Sequence, residues 1–517
     1  MLPMVTEQLL TETRTHWSNM VACRQPQGGR RLGDCVGPAA VLLLLYAGYF
    51  KANPFLSWVP VDLTGLGAAL TLVGVVAVLI RSTVPTGTGV VLALWATFVP
   101  AGILHADNTY GSQKSLYLFT LTLLAGLGPL FLVQSERRQK IWVLMQIVLG
   151  TVLALGAALD PVPDQPAGEI YRLSLDGSNA IGAGRAAGVA VVSCFVLALA
   201  GHRRRGWLIL LGAAVTVPLF LSGSRGPVLA SAVALATVAV LAPASGARRL
   251  VRVGLVAAGG ALTYFYLRGD EASGGAGRIA STLLSGNLQD ASSQARLMLW
   301  HDAWGYISDH FWGTGWGGLQ DVSGFNLLGK DGLVYPHNVL LEVTGEAGWI
   351  AGAATILFLW FGLRRLRAAA TGPYPAALFG IAVFFVMNAM VSGDVNDNRI
   401  MWASVAVGWA TLSRRETGSR ASTGGRPRQL WPFRRSLVYA HHRRPLVLRA
   451  EQADCQPANG YGAAGRSCAD PGKFGAIDVL GMDGMSQSLP SLPAGAASFG
   501  RLKNRIFMQR VSMASSG

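Results

Sequence analysis

Charged residues are scarce in this chain of 517 residues. Only 14% of the residues are Asp, Glu, Lys or Arg, whereas 51% are hydrophobic, and the mean hydropathy is +0.39. A soluble protein of average usage has about a quarter charged residues, so the composition places the chain among membrane proteins. The net charge of +16 comes from short arginine clusters between apolar segments. We therefore interpret it as a determinant of orientation in a membrane and not as a nucleic-acid site.

Cysteine is infrequent as well, and its spacing does not indicate metal or disulfide chemistry. The five cysteines include no Cys-x-x-Cys pair and no zinc-type spacing, and one of them lies within an apolar segment. The sequence therefore predicts neither a disulfide framework nor a zinc site. The cysteines are Cys23, Cys35, Cys194, Cys455 and Cys468.

Apolar segments, in contrast, recur along most of the chain. A spanning helix needs about 17–25 mostly apolar residues, and with shorter segments accepted between polar turns we count about twelve spans. The fold class that follows is an all-α, polytopic integral membrane protein with one long outer loop, residues 268–337, that contains short interfacial helices. The apolar segments are 36–50, 63–80, 89–104, 115–133, 140–159, 180–200, 206–222, 226–242, 251–267, 338–361, 376–391 and 401–412.

Basic residues alternate between the connections of these segments. Because basic loops are retained in the cytoplasm, the alternation puts both termini in the cytoplasm and the loop 268–337 outside. The expected location is the cytoplasmic (inner) membrane, crossed many times. The basic clusters are Arg81, Arg137 to Lys140, Arg203 to Arg205, Arg248 to Arg252, Arg364 to Arg367, and Arg414 with Arg415.

The layout divides the chain into three parts. Residues 1–35 form a cytoplasmic N-terminal segment, and residues 36–412 form the membrane domain. Residues 413–517 lack long apolar segments and are rich in Gly, Pro, Ser and Arg. We expect them to form a basic, largely disordered cytoplasmic tail.

Three arginines lie on the predicted outer side, against the usual charge bias. Arg225 follows Ser224 in a turn between two spans, where its guanidinium and the backbone N–H groups of the next helix can bind a phosphate. An arginine there can also snorkel to the interface. Arg185 lies just inside the sixth span and can pair with a carboxylate or a helix end. Arg296 lies on a predicted amphipathic helix, where it binds an anion or faces lipid headgroups.

His337 and two glutamates occur at the start of the tenth span. A histidine fixed at a helix start can act as a general base because its pKa is near neutrality, although a lone histidine is often structural. Glu342 and Glu346 are four residues apart and project from one helix face. They can orient His337, bind arginine or act as the base. Ionisable residues in or beside a span cost roughly 2.5–3.5 kcal/mol each, so their presence indicates a function.

Two further motifs are better explained by structure than by ligand binding. Residues 313–318 satisfy G-x-G-x-x-G, but they follow a predicted interfacial helix and not a strand. We interpret the motif as a tight turn instead of a dinucleotide site. Residues 394–398 carry Asp and Asn oxygens that can bind a hard cation, but capping and turn chemistry is the better interpretation. No metal site is predicted.

Several of these motifs together resemble a known family. The superfamily is that of O-antigen ligases and Wzy-type O-antigen polymerases. The resemblance covers residues 36–412 in layout, whereas its specific motifs occupy the arginine turn at residues 222–227 and residues 296–352. The specific motifs are Arg296-x-x-x-Trp300, Gly313-x-Gly315-x-Gly317, and Pro336-His337-Asn338-x-x-Leu341-Glu342-x-x-x-Glu346-x-Gly348-x-x-Gly352.

The resemblance implies an integral-membrane glycosyltransferase that needs no cofactor, metal or nucleotide sugar. Such enzymes move a glycan from a polyprenyl-pyrophosphate-linked donor to a hydroxyl of a lipid or glycan acceptor at the outer face of the cytoplasmic membrane. Besides these substrates, membrane lipids are the expected partners. The candidate catalytic residues are His337, Arg225, Arg296 and Glu346. The candidate substrate-binding residues are Arg185, Ser224, Asn338 and Glu342.

A secondary transporter of a small or anionic solute is the alternative. Twelve spans with both ends inside is a common transporter layout, and transporters are built from repeats with binding sites near the midplane. The two halves of this sequence show no convincing similarity, and the candidate residues gather near one outer loop. The glycosyltransferase is therefore the leading hypothesis.

Overall fold

The computed structural model describes most of the predicted membrane domain. Every described residue belongs to one compact unit, Met1–Gln429, and a second unit, Leu430–Gly517, falls in the predicted tail. Residues 1–32 and all residues from 411 onwards, which include the predicted tail 413–517, lie outside the described residues, as do residues 269–290 and 322–334 of the long loop. The described residues are 33–51, 61–81, 84–103, 109–159, 162–163, 173–174, 180–243, 246–268, 291–321 and 335–410.

This part of the chain is almost entirely helical. Helix α4 contains a π-helical turn at Leu118–Thr122, a 3-10 turn spans Gly318–Asp321, and two short strands, β1 (Val162–Pro163) and β2 (Leu173–Ser174), pair antiparallel. The helices are α1 (Gly33–Lys51), α2 (Leu63–Arg81), α3 (Thr86–Ile103), α4 (Thr109–Leu132), α5 (Glu136–Leu159), α6 (Ala180–Leu199), α7 (Arg205–Leu221), α8 (Arg225–Leu241), α9 (Gly246–Arg268), α10 (Ala291–Asp309), α11 (Val339–Ala369), α12 (Pro373–Ala389) and α13 (Arg399–Ala410).

Each predicted apolar segment overlaps one of these helices. Among the described residues, seven helices are long and apolar enough to cross a membrane, namely α1 to α6 and α11, and α7, α8 and α12 are shorter apolar helices. The prediction of a helical, polytopic membrane protein is therefore confirmed, whereas the number of twelve spans stays a prediction. The helix predicted around Arg296 is α10, and its location at the membrane interface also stays a prediction.

Helix α6 is the centre of the bundle because its sequence is built mostly from small residues. Nearly all of its residues are buried, and it packs against α5, α7, α8 and α12. Small residues allow helix backbones to approach closely in a membrane. A Cβ atom on Gly188 would lie 2.6 Å from the Phe384 ring, so the neighbouring helix occupies the space of a side chain. This close packing places Arg185 of α6 inside the protein.

The two ends of the bundle differ in chemistry. Basic connections gather at one end, where Asp34 pairs with Arg137 at 2.9 Å and the Arg252 Nε donates to the Leu199 carbonyl at 3.1 Å. At the other end, the turn before α8 packs against the start of α6, the turn before α13 accepts a hydrogen bond from Arg185 of α6, and the charges of Arg185 and Asp394 act on His337 in the turn before α11. The candidate site is built there, away from the basic clusters.

Helix α11 is interrupted at Gly348, where the sequence predicted a continuous span. The backbone of Gly348 has φ +83° and ψ 174°, outside the helical region. A Cβ atom on this residue would lie 2.7 Å from the Phe311 carbonyl oxygen and 2.8 Å from the Trp312 carbonyl carbon. The interruption therefore separates a first segment of α11, residues 339–347, from the remaining helix and leaves room for another stretch of backbone.

The loop after α10 fills this interruption. The N–H groups of Thr314 and Gly315 donate to the carbonyls of Gly345 and Glu346 at 3.0 and 2.9 Å, and Trp349 donates its N–H to the Phe311 carbonyl at 3.0 Å. Backbone groups at membrane depth must be paired within the protein, and these bonds pair the groups freed by the interruption.

The glycine motif makes that loop possible. Gly313, Gly315 and Gly317 all have positive φ, between 78° and 83°. This conformation is open to glycine and costly for other residues. The interpretation of residues 313–318 as a tight turn is therefore confirmed.

Candidate active site

Arg185 lies among polar groups of the turn between α12 and α13. Its Nη2 donates to the Ser392 carbonyl at 2.9 Å and to the Asn398 Oδ1 at 3.3 Å. Gly393 has φ +77°, and a Cβ atom there would lie 2.6 Å from the same nitrogen. Of the two pairings considered from sequence, the structure has the helix end, since Ser392 follows α12, and not the carboxylate of Glu346.

The Arg225 turn packs directly against the residue before Arg185. Ser224 is the N-cap of α8 with an extended backbone, and Arg225 is the first residue of the helix. A Cβ atom on Gly184 would lie 3.0 Å from the Ser222 Oγ and 3.1 Å from the Ser224 Cβ. The absence of a side chain at residue 184 therefore brings the Arg225 turn and Arg185 together.

His337 is held in an uncommon backbone conformation at the start of α11. Its φ is +53°, and among the described residues other than glycine it alone has positive φ. The Trp300 Nε1 of α10 donates to the Pro336 carbonyl at 2.6 Å, and the Tyr335 ring lies 4.4 Å from the imidazole. The Asn338 side chain caps α11 by accepting from two backbone N–H groups. A strained residue that its surroundings hold in place is typical of functional sites.

The surroundings of His337 keep its imidazole neutral. Burial lowers the pKa of His337 to about 4, the positive charges of Arg296 and Arg185 act in the same direction, and Asp394 opposes them. Charges from α10, α6 and the turn before α13 thus all act on this side chain. A neutral imidazole at pH 7 can accept a proton.

Behind His337, one lysine pairs with both glutamates of the first segment of α11. The Lys114 Nζ of α4 lies 2.5 Å from the Glu342 Oε1 and 2.5 Å from the Glu346 Oε2, and all three side chains are at most 1% exposed. The backbone of Gly317 also donates a hydrogen bond to Glu346. The prediction that the two glutamates share one helix face is confirmed.

The turn between α12 and α13 is held by capping and turn bonds, as the sequence predicted. Asp394 accepts the Asp397 N–H at 2.6 Å and the Tyr110 hydroxyl at 3.3 Å, and Asn396 donates its Nδ2 to the Lys114 carbonyl at 3.0 Å. Burial raises the pKa of Asp397, and the nearby Asp394 acts in the same direction. Within the described ranges, no three His, Cys, Asp or Glu side chains are placed to hold a metal ion.

Several buried polar atoms at this end of the bundle have no hydrogen-bond partner, among them the Nε of Arg185, the Nδ1 of His337, the Oδ1 of Asn388 and the Oγ of Ser392. Other such atoms lie elsewhere in the described part of the chain. An unpaired buried polar group costs about 1–3 kcal/mol, and such groups in a native structure require an explanation. A polar ligand would supply one if its anionic oxygens accept from the Arg185 guanidinium and the Ser392 hydroxyl and a hydroxyl group of its own donates to the Asn388 oxygen.

The structure thus brings most of the predicted residues to one end of the bundle. Arg185, the Arg225 turn, Arg296 and His337 converge, whereas Glu342 and Glu346 point to Lys114. Sequence reasoning missed Lys114 and Asn388. The signal for Lys114 was available, because a lysine beside a predicted span is a candidate for burial with an acid.

Comparison with known protein families gives one match within this region. Residues 189–356 match the family model described as O-antigen ligase. The matched stretch includes Arg225, Arg296 and His337 and ends beyond the interruption of α11, whereas Arg185 precedes it. Comparison with curated proteins and with solved structures gives no match. Over residues 189–356, the family match confirms the resemblance drawn from the sequence.

Proposed function

We propose that the protein transfers a glycan from a polyprenyl-pyrophosphate carrier to a hydroxyl of a lipid or glycan acceptor. The observation that carries this proposal is the convergence of guanidinium groups on a neutral histidine. The charges of Arg185 and Arg296 both act on His337, and the Arg225 turn packs against the residue before Arg185. Arginines are suited to pyrophosphate because the planar guanidinium binds two phosphate oxygens at once.

The reaction assigned to these residues is a single displacement. His337 accepts the proton of the acceptor hydroxyl, and the acceptor oxygen forms a bond to the anomeric carbon. The bond from that carbon to the pyrophosphate oxygen breaks and leaves its electron pair on the pyrophosphate. Arg185, Arg225 and Arg296 bind this leaving group, and their effect is largest in the transition state because its negative charge grows there.

The two glutamates and Asn338 receive supporting roles in this proposal. The sequence predicted that Glu346 is catalytic and that Glu342 binds substrate. Both carboxylates are buried and paired with Lys114, and these surroundings favour a supporting role over direct contact with substrate. The Asn338 Oδ1 accepts from Leu340 and Leu341, so its first role is to fix the start of α11. Ser224 is buried beside Arg225, where its hydroxyl is available to a phosphate oxygen.

We assign the site to the outer face of the cytoplasmic membrane. The basic clusters gather at the opposite end of the bundle, and the positive-inside rule puts that end in the cytoplasm. Lipid-linked donors would then reach the arginines from the outer leaflet. Cysteine accessibility to a membrane-impermeant thiol reagent at the exposed residues His301 and Arg203 tests the assignment, since only the former should react from outside.

The stereochemical outcome tests the single displacement. One displacement inverts the configuration at the anomeric carbon, whereas a covalent glycosyl-enzyme would retain it. We expect the product to have the anomeric configuration opposite to that of the donor. NMR of the transferred glycan measures this, and a retained configuration would contradict a single displacement.

Replacing Arg225 tests the anion-binding role. Arg225→Ala should lower glycan transfer by about 10²–10³-fold, the usual effect of removing one transition-state donor. Arg225→Lys should recover only part of the loss, because an ammonium cannot bind two oxygens in the planar manner of a guanidinium. The assay uses purified protein in liposomes with a lipid-pyrophosphate-linked oligosaccharide, a panel of acceptors and EDTA throughout.

Arg137→Ala is the matched control for Arg225. Arg137 is half-exposed at the basic end and pairs with Asp34, so its loss should leave transfer within about twofold of wild type. Equal transfer by wild type and Arg225→Ala would move the anion site elsewhere.

A secondary transporter remains the second candidate, because an interrupted helix with ionisable residues is also a transporter feature. Helix α11 has both properties. Uptake of a radiolabelled solute into proteoliposomes distinguishes the two functions. Uptake without glycan transfer would favour the transporter.

A further inference from the structure

The buried Lys114 connects two parts of the site that are distant in sequence. Its ammonium pairs with Glu342 and Glu346 on the first segment of α11. Its backbone carbonyl accepts from Asn396 in the turn before α13. The ammonium therefore contacts the segment that directly follows His337 and Asn338, and the carbonyl contacts the turn that holds Arg185.

The first segment of α11 depends on such contacts for its position. It is only nine residues long, from 339 to 347, and the interruption at Gly348 separates it from the rest of the helix. The bonds from Thr314 and Gly315 hold its end, and the Trp300 bond to Pro336 holds its start. Between these points, the Lys114 ammonium contacts two successive turns of the segment. Glu342 and Glu346 lie one turn apart, so two ion pairs to one nitrogen fix both rotation and translation of the segment.

The turn that holds Arg185 is connected to the same stretch of α4. The Tyr110 hydroxyl donates to Asp394, and the Thr122 hydroxyl donates to the Asn396 Oδ1 at 2.7 Å. Neither bond involves the Lys114 side chain. A change of that side chain can therefore disturb the His337 segment while the turn around Arg185 keeps its contacts.

We infer that Lys114 is a positioning residue for His337, acting through Glu342 and Glu346. It fixes the first segment of α11 and thereby the position of the imidazole, which lies directly before that segment. The inference rests on the proposed function for its effect on the reaction. Its structural part, the local effect on residues 339–347, does not depend on that function.

The decisive variant is Lys114→Met, compared with Lys140→Met. Methionine keeps much of the length and shape of lysine without its charge. The ammonium of Lys140 pairs with Glu136 at the basic end. Lys140→Met therefore shows the effect of replacing a paired lysine by methionine away from the site. Lys114→Met should lower kcat by about 10²-fold, the usual cost of a displacement of about 1 Å in a catalytic group. The KM for the lipid-linked donor should stay within about threefold, because the turn around Arg185 is held by other bonds.

A double variant distinguishes positioning from a general loss of stability. If Lys114 acts through His337, adding Lys114→Met to His337→Asn should cause no further loss of residual transfer. Asn396→Ala should instead raise the KM for the donor, because it releases the turn that holds Arg185. If Lys114→Met lowers transfer by the same factor in wild type and in His337→Asn, the inference is overturned.

Hydrogen exchange followed by mass spectrometry tests the structural part without any transfer. In Lys114→Met the amides of residues 339–347 should exchange faster than in wild type, and those of α8 should not change. This result would support the positioning role even if no glycan were transferred, and wild-type exchange at residues 339–347 would overturn it. If the single variant does not fold, Lys114→Met with Glu342→Gln and Glu346→Gln removes the buried charges together. Faster exchange in the triple variant supports the inference, and wild-type exchange contradicts it.

Discussion

Replacing His337 by asparagine should reduce glycan transfer by about 10²–10⁴-fold, the range for loss of a general base. Asparagine is the sharpest choice because His337 has φ +53°, and asparagine tolerates that conformation better than alanine does. The backbone can therefore stay in place while the proton acceptor is lost. Donor binding should change little, since the arginines remain. Transfer and donor binding are measured separately in the liposome assay.

The pH dependence of transfer gives a second measure of the same residue. Burial and the charges of Arg296 and Arg185 lower the pKa of His337 to about 4, so the imidazole is neutral at all ordinary pH values. We expect kcat/KM to be level from pH 7 down to about pH 5 and to fall as the pH passes through about 4. Stability changes in the same direction: the unfolded chain binds this proton below its ordinary pKa and the folded protein does not, so stability falls as the pH falls towards 4.

The control for this experiment is His301→Asn. His301 lies on the exposed side of α10, so its replacement should leave both the rate and the pH profile unchanged. Full activity of the His337 variant would exclude this residue as the base. An acid limb near pH 6.5 in wild type would show that the imidazole is exposed during the reaction.

Replacing Gly348 by alanine should destabilise the protein by about 3 kcal/mol or more. Two effects add. The backbone conformation of Gly348, with φ +83° and ψ 174°, is one that residues with a side chain rarely adopt. The added Cβ would also lie within 2.8 Å of backbone atoms of Phe311 and Trp312, and backbone cannot move aside as a flexible side chain can. The loop and the first segment of α11 would have to separate.

Thermal unfolding in detergent, followed by size-exclusion chromatography, measures this loss. Gly305→Ala is the matched control because Gly305 lies in α10 with no atom within 4 Å of a Cβ position. Alanine there should be neutral or stabilising by up to about 1 kcal/mol. If Gly348→Ala melts at the wild-type temperature, α11 is continuous in the membrane and the interruption is not a requirement of the fold.

Much of the fold could be predicted because the signals are local. A run of apolar residues specifies a spanning helix regardless of what packs against it. The basic clusters occur at every second connection, and the structure gathers these connections at one end of the bundle. Helix α10 and the tight turn at residues 313–318 follow from nearby residues as well. The placement of Glu342 and Glu346 on one face required only helical spacing.

The interruption of α11 could not be predicted, because its cause lies elsewhere in the chain. The sequence from Val339 onwards has helical periodicity, and Gly348 alone does not break a helix. The break becomes stable when the N–H groups of Thr314 and Gly315 bind the freed carbonyls. Nothing within the α11 sequence identifies those partners.

Lys114 was missed for a related reason. The apolar segment was read from residue 115, which made Lys114 a flanking residue in contact with water. The helix begins at Thr109 instead, so the lysine lies more than one turn inside it, beside carboxylates that the sequence places far away. Hydropathy identifies where a segment becomes apolar, and it does not identify where polar residues continue the helix into the protein.

The distance in sequence between Lys114 and its partners has a consequence for biosynthesis. Helix α4 leaves the ribosome well before Glu342 is made, and at the usual rates of synthesis the delay over about 230 residues is roughly 10–50 s. During this time an ammonium stands in a newly inserted helix with neither carboxylate available. The translocon must therefore accept α4 on its hydropathy alone, and the ion pairs form only when the first segment of α11 arrives. A nascent chain arrested before residue 339 would be expected to hold α4 less firmly in the bilayer than the finished protein does.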